Sequence, residues 1–403
     1  MNKERIPFSP PHIDQKTIDA VTEVLKSGWI TTGPKTRALE KGISDYVKAN
    51  NVICLNSWTN ACELMLRWWG VGPGDEVLVP AYTYAATANI VHHVGAKAIL
   101  VDSCLENPMI NAACIEPLLS SKTKVVMPVD IGGMPVDYDG IMNLLKTRQV
   151  SASNSRQETL QRPLFLSDAA HSFGGTFNKK RIGSQADVSG FSFHAVKNLT
   201  TAEGGALVLN LPEGFDNAEL WKDMNRMSLH GQSKDAMAKT QGTDWRYDIL
   251  EHGFKCNMTD IHAAIGLVEL ERYQETLDWR KKCCELYTKH FENEAWFIPP
   301  VFKTDTAESS YHLYMLRVQG ISERQRDEII HLVQTEGVAV NVHFQPLPLL
   351  TAFKQQGWSV DNFPNAMRHY QNEISLPVFM GITDQQIERV ADTIKSAISS
   401  LLK

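Results

Sequence analysis

The sequence predicts an α/β protein: a large domain around a mixed, mostly parallel sheet, and a smaller C-terminal α/β domain. Three observations carry this. Between about residues 50 and 210, short apolar runs of strand length alternate with amphipathic stretches, the rhythm that layers helices over a parallel sheet. The amphipathic stretch 259–293 has the length of a helix that bridges two domains. After it the alternation resumes, which places the large domain at 1–269 and the small one at 270–403. With 403 residues, 43% of them hydrophobic, the chain can bury a core of that size.

The elements follow in order. Ile13, Ile18, Val21, Val24 and Leu25 recur at helical spacing and give a first helix over 10–26. The glycines and proline of S-G-W-I-T-T-G-P-K, at 27–35, make a loop, and a second helix covers about 36–49. Strands are expected at 52–55, 77–79, 98–101, 125–129 and 164–166. Helices are expected at 59–69, 87–94, 115–119 and 140–146, the first of them stopped by Gly70. The polar, aperiodic stretch 147–162 reads as a surface loop or insertion. Residues 188–193 and the segment opened by Gly204-Gly205 form two strands around a polar turn at Lys197. No motif is visible in 211–253. Beyond the bridging helix, strands are expected at 313–318 and 338–342, a helix at 323–336, and a final helix at about 384–402.

The net charge of −6 argues against nucleic acid or an anionic membrane as the main partner, though a local basic pocket for a phosphorylated substrate remains compatible with it. Seven cysteines, odd in number, lacking any C-x-x-C pair and including the adjacent Cys283-Cys284, fit neither a disulfide framework nor a zinc site. Free thiols point to a reducing compartment. The N-terminus lacks a signal-peptide core and no apolar run reaches membrane-spanning length. A cytoplasmic location is therefore expected.

Chemistry concentrates at four strand ends. Asp168 follows the strand in P-L-F-L-S-D-A-A-H, where ligands bind in open α/β sheets, and a buried carboxylate there calls for a cationic partner. Lys197, between two apolar strands, loses solvation, so its amine is either paired or reactive. Together the two suggest pyridoxal phosphate, the lysine forming the Schiff base and the aspartate pairing with the protonated ring nitrogen. Ser57 and Thr59 open a helix whose first amides suit a phosphate. Tyr84, after the 77–79 strand, is placed to stack on a planar ring. His171, His194, His230 and His343 lie near these motifs without metal-ligand spacing, so no metal is expected.

On these residues the chain resembles the DegT family of pyridoxal-phosphate-dependent nucleotide-sugar aminotransferases, of fold type I. The matching stretches run in order: S-G-W-I-T-T-G-P-K at 27–35, D-E-V-L-V-P-A-Y-T-Y-A-A-T at 75–87, and D-A-A-H at 168–171. Then come F-S-F-H-A-V-K-N-L-T-T-A-E-G-G at 191–205, G-F-K-C-N-M-T-D-I-H-A-A-I at 253–265, V-H-F-Q-P-L at 342–347 and S-L-P-V-F at 375–379. The S-F-H-A-x-K-N and G-F-K-x-N forms are closest to the branch that aminates UDP-4-keto-arabinose. The resemblance implies that Lys197 carries the cofactor and shuttles the proton, that Asp168 pairs with the pyridine nitrogen, and that Tyr84 takes the ring-stacking position. Ser57, Trp58, Thr59 and Ser192 match the phosphate-binding positions. Asn257 matches a residue that reaches the phosphate of the neighbouring subunit, which implies a homodimer. Thr31, His194 and His343 match the region of the nucleotide-sugar pocket.

Two departures from the family stand out. Trp58 replaces the usual Gly or Ala of the phosphate-binding turn, and the insertion around 151–161 is extra. The implied reaction is a two-stage amino transfer, with glutamate as the expected donor and a nucleotide-bound keto sugar as acceptor, in cell-surface polysaccharide biosynthesis. The alternatives are amination of a cyclitol or other cyclic ketone, and a non-catalytic pyridoxal-phosphate-binding regulator. Family dehydratases carry His at the lysine position. A Rossmann-like oxidoreductase lacks support because no G-x-G-x-x-G follows a strand.

Overall fold

The computed structural model describes residues 4–234 and 246–402. Its organising element is a seven-stranded sheet. The strands are β1 (Asn51–Leu55), β2 (Glu76–Pro80), β3 (Lys97–Val101), β4 (Thr123–Val126), β5 (Leu164–Asp168), β8 (Val188–Ser192) and β9 (Gly205–Leu209). Two short strands that pair with each other, β6 (Thr176–Phe177) and β7 (Lys180–Arg181), lie between β5 and β8 in sequence. The order is β1-β9-β8-β5-β4-β2-β3. From β3 through β2, β4 and β5 to β8 all pairings are parallel, whereas β9 runs antiparallel to both β8 and β1. The carboxyl ends of β1, β2, β5 and β8 therefore share one edge of the sheet with the start of β9. The sheet is mixed and mostly parallel.

Both faces are buried, as a parallel sheet requires. Successive side chains point to opposite faces. Ile53, Leu55, Val77, Val79, Leu164 and Leu166 join one apolar cluster with α3 (Trp58–Trp69). Val52, Cys54, Leu78 and Phe165 join another with α2 (Pro34–Val47). A third cluster, around β10 (Phe297–Ile298), β12 (Tyr314–Val318) and β13 (Glu373–Leu376), is covered by the helices Tyr273–Phe291, Glu323–Thr335 and Asp384–Leu401, and takes in Ile6 from the N-terminal segment. The short strand β11 (Ala307–Glu308) pairs back onto β6.

Several expectations need correction. Residues 147–162 are not a plain surface loop. They contain α7 (Ser155–Leu160), capped by Asn154, and Gln157 is fully buried with its amide donating to Trp69 O. Arg156 donates to Trp68 O and lies 4.2 Å from the Trp68 ring centroid, so the polar side chains that obscured the pattern are the ones that dock the segment. The stretch 259–293 is two helices, Asp260–Glu271 and Tyr273–Phe291, broken at Arg272. The Arg272 guanidinium reaches Asp14 Oδ2 at 2.6 Å and His12 O at 2.8 Å, so tertiary bonds at the break replace helical continuity. Residues 338–342 form no strand. Val338 bridges Ile6 and Asn341 bridges Ser375, one rung each. β4 stops at Val126, ahead of Pro128, which has no N–H to give the ladder.

Smaller differences have local causes. α1 (Gln15–Ser27) starts after Pro10-Pro11, where the Asp14 carboxylate accepts from Thr17 N at 2.9 Å. The helix expected at 115–119 is α5 (Ala112–Ile115) followed by a tighter turn, Glu116–Leu118. Within 211–253, α8 (Asn217–Met227) is capped by Asp216; residues 235–245 lie outside the described part. The described residues hold no helix long and apolar enough to cross a membrane, and every cysteine is free.

A buried ion pair fixes the start of β8 against β5. Arg162 donates through both terminal nitrogens to the Asp187 carboxylate, each at 2.7 Å, and Phe165 N donates to the same carboxylate at 2.8 Å. Removing the carboxylate leaves a guanidinium in the core. Asp187→Ala should lower the unfolding free energy by about 3–5 kcal/mol. A urea titration at equal cofactor saturation reads this as a lower midpoint, and an unchanged midpoint would show that the pair carries no weight.

Candidate active site

The carboxyl ends of β2, β5 and β8 and the first turn of α3 open onto one cavity of about 370 Å³. The C-terminal unit closes its far wall with His312, Leu313, His343, Phe344, Leu376 and Val378, and the N-terminal segment adds Phe8 and Ser9. Nine of the residues given a site role from sequence line this cavity, Ser57, Trp58, Thr59, Tyr84, Asp168, Ser192, His194, Lys197 and His343, and so does His171. Thr31 and Asn257 do not. They lie together at the start of the helix Asp260–Glu271, where Asp260 N donates to Thr31 O and Asn257 Nδ2 donates to Thr32 Oγ1 at 2.6 Å.

Asp168 is the last residue of β5 and is 4% exposed. It accepts from Thr87 Oγ1 at 2.9 Å and from Ala170 N at 3.2 Å. Among the described residues no cation forms an ion pair with it. Burial pushes its carboxyl up to about 7, against the opposing pull of Thr87, Ala170 and Lys197. Lys197 is half-buried in the turn between β8 and β9, and burial brings its amine down to about 8, against the attraction of Asp168. Desolvation thus outweighs mutual attraction for both groups. A protonated pyridine nitrogen would supply the buried carboxylate with the cation it lacks, so these residues fit pyridoxal phosphate.

The turn from β1 into α3 fits the phosphate. Ser57 caps α3 by accepting from Asn60 N at 3.1 Å, and the first amides of the helix have no intrahelical acceptor. Trp58 does not obstruct this turn. Its indole is 5% exposed and tucked beneath it, where a methyl group on Gly190 would meet Trp58 Nε1 at 2.8 Å and Cys62 Sγ at 2.6 Å. Gly205 is equally constrained: a Cβ there would lie 2.3 Å from Trp58 N. Two glycines, one each in β8 and β9, therefore make room for the large side chain and its backbone.

Tyr84 is 64% exposed at the start of α4 (Ala85–His93), its ring centroid 5.9 Å from that of Phe344. Ser192 ends β8, and the exposed His194 lies 3.6 Å from Glu203. Sequence reasoning missed Thr87, His312, Phe8, Ser9 and Phe344, and gave His171 no role. Thr87 was legible in principle, because Thr83 and Thr87 are four apart and their hydroxyls lie 3.0 Å from each other beside Asp168. His312 carries no local signal; the fold brings its ring within 4.4 Å of the His171 ring. Burial depresses both imidazoles well below their usual range, so both are neutral beside Lys197. No cluster of metal-ligand type occurs among the described residues.

The sequence matches the model of the DegT/DnrJ/EryC1/StrS aminotransferase family over residues 11–395. It is 33% identical over 400 residues to the spore coat polysaccharide biosynthesis protein SpsC of Bacillus subtilis (strain 168), covering 98% of this chain and 97% of that protein. Its fold matches the putative sugar aminotransferase Spr1654 from Streptococcus pneumoniae in the PMP form, with a TM-score of 0.95 at 43% identity over 98% of this chain and 99% of the other. The PLP form of that protein matches with a TM-score of 0.94 at 41% identity, over 99% of this chain and 100% of the other. The chain belongs to the DegT/DnrJ/EryC1/StrS aminotransferase family, and its cofactor is pyridoxal phosphate.

Proposed function

We propose that this chain moves an amino group from an amino acid, glutamate being the expected donor, to the keto group of a sugar carried on a nucleotide. The observation that carries this is the buried pair Asp168 and Lys197 in one cavity with the first turn of α3. The likeness to a putative sugar aminotransferase and to a spore coat polysaccharide protein supports a sugar as acceptor. Amination of a UDP-linked 4-keto sugar in the arabinose branch is one specific form of this reading, suggested by the S-F-H-A-x-K-N stretch.

Pyridoxal phosphate supplies an electron-withdrawing ring that acidifies the carbon bearing the amino group. Lys197 Nζ would hold the cofactor until the incoming amine displaces it; the freed amine, when neutral, would take the proton from that carbon of the donor, and in the second stage, when protonated, would deliver one to the former keto carbon of the acceptor. Asp168 keeps the ring nitrogen protonated, and Thr87 and Ala170 N hold the carboxylate in place. Ser57, Thr59, Ser192 and the α3 amides bind the phosphate, with Trp58 supporting the turn from below. Tyr84 covers the ring. His194 and His343 face the sugar. Asn257, half-buried beside Thr32, reaches the phosphate of a second copy, Thr31 belongs to the nucleotide-sugar pocket, and a homodimer is the working unit.

Borohydride should trap the cofactor on Lys197, read as a mass increase on the peptide that contains it. Lys197→Ala should lose the yellow colour and about 10²–10⁴-fold or more in turnover. A colourless variant that transaminates at the parent rate would sink this role.

The pH dependence has a definite sign. Lys197 reacts when neutral, a form that grows as pH rises through about 8, and Asp168 works when ionised, a form that grows through about 7. Both move the same way. Uptake of pyridoxal phosphate by the cofactor-free protein should therefore slow at least tenfold for each pH unit below about 7. Stopped-flow absorbance measures this, and a flat profile would count against both assignments.

To test the acceptor, the amino-loaded protein is mixed with a panel of keto-sugar nucleotides, free keto sugars and cyclic ketones. Return of the yellow absorbance with a nucleotide-linked sugar, and not with a free ketone, is the expected result. Turnover of a cyclitol ketone alone would overturn the assignment.

A further inference from the structure

His343 carries a buried relay behind it that the amino-transfer scheme does not use. Its Nδ1 lies 2.8 Å from Ser375 Oγ, which lies 2.5 Å from Glu373 Oε1; the other carboxyl oxygen, Oε2, accepts from His343 N at 2.9 Å. Glu373 and Ser375 are two apart on β13, on the same side of the strand, and both are fully buried. The opposite ring nitrogen, Nε2, has no protein partner among the described residues, and His343 lines the cavity with Lys197.

A serine hydroxyl has one proton, and an ionised carboxylate can only accept. When Glu373 is ionised, the Ser375 proton must point to it. The serine oxygen then accepts from His343 Nδ1–H, and Nε2 is a bare acceptor. When Glu373 takes a proton from solvent, it donates to Ser375 Oγ, whose own proton turns to Nδ1. The imidazole still holds one proton, now on Nε2, which becomes a donor.

We propose that Glu373 and Ser375 are positioning residues that set the tautomer of His343, so that one buried carboxyl decides whether Nε2 donates to or accepts from the bound substrate. The charges around the relay are compatible with such a switch. Burial pushes Glu373 up to about 8, with the Ser375 and His343 N hydrogen bonds and then Arg326 and Arg317 pulling the other way. Burial, and then Lys197, push His343 down to about 3, so its ring stays neutral while its tautomer changes. Around the pair, Arg317 comes from β12, Arg326 from the helix Glu323–Thr335, Tyr82 from the end of β2 with its hydroxyl donating to His343 O, and His369 from the helix Pro364–Gln371. On the cavity side, His343 meets Lys197, His171 and His312.

The test reads protons directly. In cofactor-loaded protein labelled with ¹⁵N-histidine, the His343 signals are assigned among the 13 histidines by difference against His343→Gln. The expected result is a change from Nε2–H to Nδ1–H as pH rises through about 8. Glu373→Gln, whose amide donates permanently to Ser375, should hold Nε2–H across that range, and Ser375→Ala should abolish the pH dependence. A wild-type tautomer that never changes, or a change that survives in Ser375→Ala, overturns the proposal. The kinetic consequence rests on the sugar-nucleotide reading: KM for the acceptor should shift roughly tenfold in Glu373→Gln above that pH, with the amino-donor stage unaffected. Equal losses in both stages would overturn a substrate-facing role. Failure of every sugar to react would refute that reading alone, because the tautomer measurement does not need turnover.

Discussion

Two groups of opposite charge type, Asp168 and Lys197, are held where water solvates neither well, and the rest of the structure serves to keep them there. Each is pushed toward its neutral form, so the chain alone does not satisfy them. A cation at Asp168 and a covalent partner at Lys197 are what such a site lacks. Functional sites commonly concentrate perturbed groups of this kind, at a cost to stability that a bound cofactor offsets.

The sheet provides the rigidity. β5 and β8 are adjacent and parallel, so Asp168 at the end of one and Ser192 at the end of the other share an edge. β9 returns antiparallel beside β8, and the intervening turn brings Lys197 back over that edge. This reversal is the one departure from parallel order that the chemistry needs. A parallel crossover would carry the chain to the other end of the sheet after Ser192. Gly190 and Gly205 complete the arrangement by letting Trp58 pack under the turn from β1 into α3.

Legibility in the sequence followed the range of each interaction. Strands and helices with a clean period were read to within a few residues, as with β5 and α3, and Asp168 and Lys197 emerged from strand-end position and apolar flanks. What failed depended on distant partners. Arg272 breaks a helix because Asp14 and His12 lie across from it, and α7 was hidden because Arg156 and Gln157 look like surface residues until Trp68 and Trp69 receive them. Phe8 and His312 reach the cavity from segments about 300 residues apart in the chain, and no local pattern marks them. Trp58 was the reverse case: its identity was plain, but the room for it came from two glycines on distant strands, Gly190 and Gly205.

The position of the C-terminal unit gives the site its second half. The sheet edge carries the groups proposed to hold the cofactor, while the wall facing it comes from His312, His343 and Phe344, segments that are packed on β12 and β13. Chemistry common to a family requires only the first wall. On the proposed function, the side chains that meet the remote part of the acceptor stand on the second. Phe8 stacks on His343 with ring centroids 5.6 Å apart, and Ser9 donates to Val196 O at 3.3 Å, so the N-terminal segment ties the two walls together. The side chain backed by Glu373 and Ser375 is His343, which lines the cavity together with Lys197. On the proposed reading, a change at Glu373 or Ser375 alters what the cavity accepts while leaving amino transfer intact.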